Sequence, residues 1–138
     1  MRKILTHSQS TEQINTWTGD FGREYTDRNT YDPEGLDDLY RRDYGITPTA
    51  INEKFLQHIP RESRILEVGC NMGNQLLLLQ RMGFTDLSGI EIQSYALERA
   101  KERLQGVNLT QASALSIPYP DRSFDLVFTS GVLIHLAS

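Results

Sequence analysis

Two glutamates twenty-four positions apart, Glu67 and Glu91, frame the run Ile65-Leu66-Glu67-Val68-Gly69-Cys70-Asn71-Met72-Gly73. A carboxylate can pair with a ligand cation or accept hydrogen bonds from two hydroxyls, and a glycine lets a ligand touch bare backbone. The elements that must position these groups can be read on either side. Ile65, Leu66 and Val68 suit a buried parallel strand over Arg64–Val68, Gly69 and Gly73 supply a turn, and Asn74–Met82 can run as a helix closed by Gly83. A second strand, Leu87–Ile92, then carries Glu91 at its end. Strand, glycine turn, helix, strand and acid is how an α/β sheet holds a nucleoside at the carboxyl ends of its first two strands.

The glycine positions decide which nucleoside. A dinucleotide turn, G-x-G-x-x-G, seats a pyrophosphate on the helix N-terminus. Counted from Gly69 it requires glycine at positions where this chain has Asn71 and Asn74. The pattern acid-x-Gly-x-x-x-Gly fits Glu67, Gly69 and Gly73 instead. Asn71 stands at its optional middle glycine and is the side chain that best tolerates positive φ. Glu67 at the strand end would repel a pyrophosphate and attract an ammonium. Glu91 can accept from two ribose hydroxyls. S-adenosylmethionine has the ammonium, the sulfonium and the ribose, and no phosphate, so it is the expected cofactor. A nicotinamide-linked oxidoreductase remains a remote alternative.

ILEVGCNMGN, LSGIEI and ASALSIPYPDRSFDLVFTSGVLIHL resemble the successive motifs of class I S-adenosylmethionine-dependent methyltransferases. GDFGREYTDRN, YGITPTAINEKFL and FTSGVLIHL further resemble methylases associated with pseudaminic acid biosynthesis, over residues 17–138. The resemblance implies a cytoplasmic methyltransferase acting on a nine-carbon sugar, its nucleotide precursor or a glycan; O-methylation is the expected reaction, with N-methylation left open. It also implies a Rossmann-like class I fold. The four strands readable here would form a partial parallel sheet ordered 3-2-1-4, with an N-terminal helical cap.

Further elements follow from pattern. Residues 1–16 read as a polar, poorly ordered start. Residues 17–44 interleave Trp17, Phe21, Tyr25, Tyr31, Tyr40 and Tyr44 with charges. They read as a helical cap whose aromatics mostly pack on the sheet domain, or as a lid with Tyr25, Arg28 or Tyr44 reaching the site. Thr47 and Pro48 start a helix over Pro48–His58, with Ile51, Phe55, Leu56 and Ile59 as its apolar stripe, and Pro60 ends it. Ser94 is expected to cap a helix running to about Leu104. Asn108–Ala112 is a third strand, and Phe124–Thr129 a fourth of the kind buried on both faces. The expected division is a cap over residues 1–46 and a cofactor-binding domain over 47–138, stopping after strand four. Such a chain would be a fragment of a longer protein, pair with a second polypeptide, or self-associate through the strand-four edge.

The candidate cofactor set comprises Glu67, Gly69, Cys70, Asn71, Gly73 and Asn74 of the turn, and Glu91 with Ile92, which would pack on the adenine face. Ser113 and Ala114 stand at the adenine-edge position, where the superfamily often has aspartate. Thr129, Ser130 and Gly131 leave strand four beneath the expected methyl group, and Ser130 completes the set. His135 matches a histidine of the family pattern. It is a candidate general base for a hydroxyl acceptor, or a helix histidine bonded to backbone. Cys70 reads as a small packing residue rather than a nucleophile.

With 138 residues and a net charge of −4, the chain is one domain without the basic face that nucleic acid requires. The N-terminus has no signal-peptide pattern, no apolar run reaches membrane length, and no spacing reads as a metal site. A single cysteine excludes an internal disulfide and suits a reducing cytosol. The expected partner is a small-molecule or glycan acceptor. A second reading is a cofactor-binding half without turnover, dependent on a partner or a C-terminal region.

Overall fold

The computed structural model describes residues 11–136, so the reading of a poorly ordered start lies outside the described residues as far as residue 10. From residue 11 onward that reading is corrected. Thr11 Oγ1 accepts a hydrogen bond from Ile14 N at 3.2 Å and caps α1 (Glu12–Thr18). Such a cap satisfies one of the first-turn amides that a helix leaves orphaned. The chain turns at Gly19 into α2 (Asp20–Arg28) and continues into α3 (Pro33–Tyr44). There Asp32 Oδ1 accepts from Gly35 N, and Gly45 closes the helix at φ +72°.

α4 (Pro48–Leu56) starts as predicted, with Thr47 Oγ1 accepting from Ala50 N at 3.0 Å and Pro48 in the first turn. Its apolar stripe is narrower than the spacing predicts. Leu56, with Ile59 just beyond the helix, packs on the core, but Phe55 is 69% exposed. α4 packs mainly on α3 and α5 rather than across the sheet, and the Lys54 ammonium lies over the outward Phe55 ring.

The sheet is built from β1 (Arg64–Val68), β2 (Asp86–Glu91), β3 (Asn108–Gln111) and β4 (Leu126–Thr129), all parallel and ordered β3-β2-β1-β4. This is the predicted order. Parallel neighbours require crossovers, which α5 (Asn74–Arg81) and α6 (Ser94–Arg103) supply between β1, β2 and β3. Strand alternation then divides the core. Ile65 and Leu87 pack with Leu76 and Leu79 of α5 and with Ala100 and Leu104 at α6. Leu66, Val68 and Ile90 face the other way, under Ala112, Ala114, Tyr119 and Phe124 of the β3–β4 connection.

Three local expectations are corrected by this packing. Phe124 belongs to the connection, where its ring meets Tyr119 edge-on at 4.9 Å, and β4 begins only at Leu126. β4 is not buried on both faces, since Val127 is 51% exposed. Among the described residues β4 pairs on one side alone, with β1. Ser94 does not cap α6. Gln93 holds that position, and its side chain is engaged by the N-terminal helices instead. No described helix is long and apolar enough to cross a membrane.

Candidate active site

Each of the four strands ends beside one cavity. Gly69 and Asn71 reach it after β1, Glu91, Ile92 and Gln93 from the end of β2, and Ala112 to Leu115 after β3. Ser130 to Val132, His135 and Leu136 reach it after β4. Helices α1 and α2 close the remaining side with Ile14, Trp17 and Tyr25. A crevice at the carboxyl ends of parallel strands is where open α/β sheets bind ligands.

The turn after β1 has the shape its residue types suggest. Gly69, Asn71 and Gly73 all take positive φ, at +72°, +47° and +83°. Gly69 N and Cys70 N both donate to Ile90 O, at 2.8 and 3.0 Å, tying the turn to β2. A Cβ on Gly69 would stand 2.4 Å from Val132 Cγ2, so bare backbone is required on the cavity side. The reason for Gly73 is different. A Cβ there would meet Leu104 Cδ1 at 2.3 Å, so this glycine serves the packing of the turn on α6.

Glu91 is fixed by two backbone amides. Its Oε2 accepts from Asn71 N at 2.8 Å and its Oε1 from Gln93 N at 2.9 Å. A carboxylate has about four lone-pair sites, so acceptor capacity remains for a ligand in the cavity that Glu91 lines. Burial raises its carboxyl above the usual range, against the lowering effect of the amides at Gln93, Asn71 and Ile92. Glu67 is 3% exposed, and its Oε2 has no hydrogen-bond partner among the described residues. Burial pushes this carboxyl well above the usual range, and the charge of Glu91 adds to the effect.

Proton linkage gives this pair a signature. With both folded values above the ordinary 4.5, the folded state holds protons that the unfolded chain has released. The stability from these groups is full below that value and is lost as pH rises through the folded values. Glu34, Asp43 and Asp125 are lowered by arginine partners and act only below the ordinary carboxylate range. The thermal midpoint of the ligand-free protein is therefore expected to fall between pH 4.5 and neutrality, and Glu67→Gln to flatten that fall. An identical slope in the variant would contradict the assignment.

Of the sequence-derived candidates, Gly69, Asn71, Glu91, Ile92, Ser113, Ala114, Ser130 and His135 line the cavity. Glu67, Cys70, Gly73 and Asn74 do not. Cys70 is buried over Gly89, whose Cβ would approach its Sγ to 2.8 Å. Burial, with the charges of Glu67 and Glu91, pushes its thiol far up, so it is no nucleophile at neutral pH. Asn74 Nδ2 donates to Asn29 O, and its Oδ1 accepts from Arg103. Ser113 Oγ accepts from Leu115 N at 3.1 Å. The His135 ring meets Trp17 edge-on, with centroids 4.8 Å apart.

Tyr25 reaches the cavity, whereas Arg28 and Tyr44 do not. Tyr44 is 71% exposed and packs against Tyr40. Trp17, Gln93, Ile14 and Thr11 were not among the candidates. Trp17, alone of its type in the chain, was the one available signal. Gln93, two positions after Glu91, has no local pattern that marks it.

Among the described residues no lysine or arginine lines the cavity, and Glu91 contributes the only carboxylate. A diphosphate would find no cation among these lining residues, while a positively charged nucleoside meets the Glu91 carboxylate at the wall, with the buried Glu67 carboxyl behind the turn. The sheet order defines a Rossmann-like fold, shared with the crystal structure of an S-adenosylmethionine-dependent methyltransferase from Mesorhizobium loti at a TM-score of 0.51 and 24% identity, covering 59% of this chain and 40% of that one.

Residues 66–138 match the family described as "Methyltransferase domain", and the chain belongs to that family. Its cofactor is S-adenosylmethionine. The chain is 28% identical over 102 residues to an uncharacterized methyltransferase of Schizosaccharomyces pombe, covering 65% of this chain and 37% of that protein. It is also 28% identical over 82 residues to the O-methyltransferase rstn1 of Aspergillus nomiae, covering 55% and 36%. A crystal structure of the sugar N-methyltransferase KedS8 from a Streptoalloteichus species superposes with a TM-score of 0.51 at 24% identity, covering 67% and 38%. That last likeness is one of fold. The chain spans little more than a third of the length of these curated relatives.

Proposed function

We propose that the cavity binds S-adenosylmethionine and that the chain forms the methyl-donor part of an enzyme acting on oxygen of a sugar-related acceptor. The observation that carries the cofactor's placement is the Glu91 carboxylate, held by two backbone amides and facing a cavity without cations. In this reading Glu91 accepts from the ribose hydroxyls and Ile92 packs on the adenine face. The Ala114 amide and Ser113 hydroxyl serve the adenine edge. Gly69 lets the ligand lie against backbone, and Ser130 with Gly131 lines the methionine end. Cys70, Asn71, Gly73 and Asn74 hold the turn in shape, and Glu67 lies behind it, where the approach of the ligand ammonium would favour loss of the proton that burial holds on its carboxyl.

The bound cofactor supplies a methyl group activated on a sulfonium. What the chain must add is alignment, because transfer needs the nucleophile in line at roughly 3–3.5 Å. His135, on the cavity wall against Trp17, is the candidate to take the proton of a hydroxyl acceptor. Transfer to oxygen is supported by the O-methyltransferase among the relatives. A sugar-related acceptor, down to the pseudaminic-type sugars, is supported by GDFGREYTDRN and FTSGVLIHL. The cytoplasm, a small-molecule or glycan acceptor, and pairing of the open β4 edge with further chain or a second copy belong to the same proposal.

Calorimetry with S-adenosylhomocysteine tests the cofactor site. Saturable binding at one site per chain is expected, and a folded sample giving no heat of binding would sink the reading. The second reading is a cofactor-binding half without independent turnover. Methyl transfer to sugar nucleotides, assayed with and without a supplied C-terminal half, separates the two.

A further inference from the structure

The Glu91 carboxylate sits in a closed ring of hydrogen bonds. Asn71 N and Gln93 N donate to its two oxygens. The side chains of those same two residues meet again on the far side, at one hydroxyl. Asn71 Nδ2 donates to Thr26 Oγ1 at 3.1 Å, and Thr26 Oγ1 donates to Gln93 Oε1 at 2.9 Å. Thr26 has no exposed surface, Gln93 is 4% exposed and Glu91 8%. From this ring Gln93 Nε2 reaches Trp17 O at 2.7 Å, so helix α1 hangs from the same network.

We propose that Thr26, a residue of the N-terminal cap, is a positioning residue for the ribose-binding carboxylate. The proposal rests on the reading that Glu91 receives the ribose. A carboxylate held by two amides can still rotate and shift as those amides move. Cross-bracing Asn71 to Gln93 through one hydroxyl fixes the distance between the two donors, and with it the direction of the lone pairs left for the ligand. A hydroxyl is required because it must accept on one side and donate on the other. Valine has the same shape and can do neither. Serine can do both. Buried networks of this kind lose more than one bond when a member is removed, since each orphaned partner is left desolvated.

The test compares S-adenosylhomocysteine with its 2′-deoxyribose analogue, by calorimetry, on the intact protein carrying Thr26, Thr26→Val or Thr26→Ser. The wild-type protein is expected to prefer the ribose form by roughly tenfold or more, the equivalent of one charge-assisted hydrogen bond. In Thr26→Val that preference should shrink to roughly twofold, with Thr26→Ser restoring most of it. A packing role alone would weaken both ligands together and leave their ratio unchanged, and that result would overturn the proposal. A wild-type protein that binds both ligands equally would overturn the ribose reading itself, and the proposal with it. If Thr26→Val does not fold, Asn71→Gly serves. It keeps the backbone donor and the positive φ, removes the amide bonded to Thr26, and should narrow the same ratio.

Discussion

Replacing Glu91 with alanine is expected to weaken S-adenosylhomocysteine binding by roughly two orders of magnitude, because a hydrogen bond to a charged group contributes about 1.5–3 kcal/mol and two hydroxyls lose their acceptor together. A second loss compounds the first. Asn71 N and Gln93 N both spend their hydrogen bonds on this carboxylate, so alanine orphans two amides at the cavity wall. The turn and the start of α6 then lose the group that joins them. Stability should change less than affinity, since the deletion also removes a buried carboxyl that the folded protein holds at a cost. Calorimetry and thermal unfolding on the same samples separate the two effects. An affinity equal to wild type would refute the ribose assignment.

The second large effect is expected at Gly22, in the first turn of α2. An added Cβ would stand 1.9 Å from Trp17 O and 2.1 Å from Gln93 Nε2. The first of these is backbone and cannot swing aside, so Gly22→Ala must open the corner between α1 and α2. The bond from Gln93 Nε2 to Trp17 O breaks, and Trp17 leaves His135 and the cavity. Overpacking of this kind costs about 1–3 kcal/mol. It falls on the cap, while the Ile65, Leu76 and Ile90 core of the sheet stays packed. Trp17 is the chain's single tryptophan, so its emission reports the cap alone. A red-shifted emission and a roughly tenfold loss of S-adenosylhomocysteine affinity are expected, with the sheet's unfolding transition retained. Emission unchanged from wild type would show that the corner tolerates the methyl group and that the contact is not needed.

Both effects meet at Gln93, which shows why the cap and the sheet domain cannot be treated as separate in function. The Glu91 carboxylate, proposed to receive the ribose, belongs to β2, yet the groups that hold it are tied through Thr26 and Trp17 to helices α1 and α2. If the proposed site is right, order in α1 and occupancy of the cavity are expected to be coupled through these shared hydrogen bonds.

The local features of this protein were legible residue by residue. Gly69 and Gly73, which lack a Cβ, and Asn71, which tolerates the left-handed region, permit the positive φ found there, and β1, α5, β2 and α6 follow from branched-apolar runs and helical spacing over a few residues. The order β3-β2-β1-β4 was implied by the resemblance to class I methyltransferases, whereas the strand, glycine turn, helix and strand pointed only to parallel neighbours. What neighbours in sequence could not tell was which polar side chains would meet across the fold. Thr26 and Gln93 are 67 positions apart, and Trp17 and Gln93 76. Hydrogen bonds over such separations leave no period to read. Nor could the stripe on α4 say that Phe55 would face outward, or the spacing of Gly73 say that its neighbour would be Leu104 rather than a ligand. Sterics and periodicity act within a turn or two of chain and are written locally. Burial and side-chain pairing depend on which surfaces come together, and only the tertiary structure decides that.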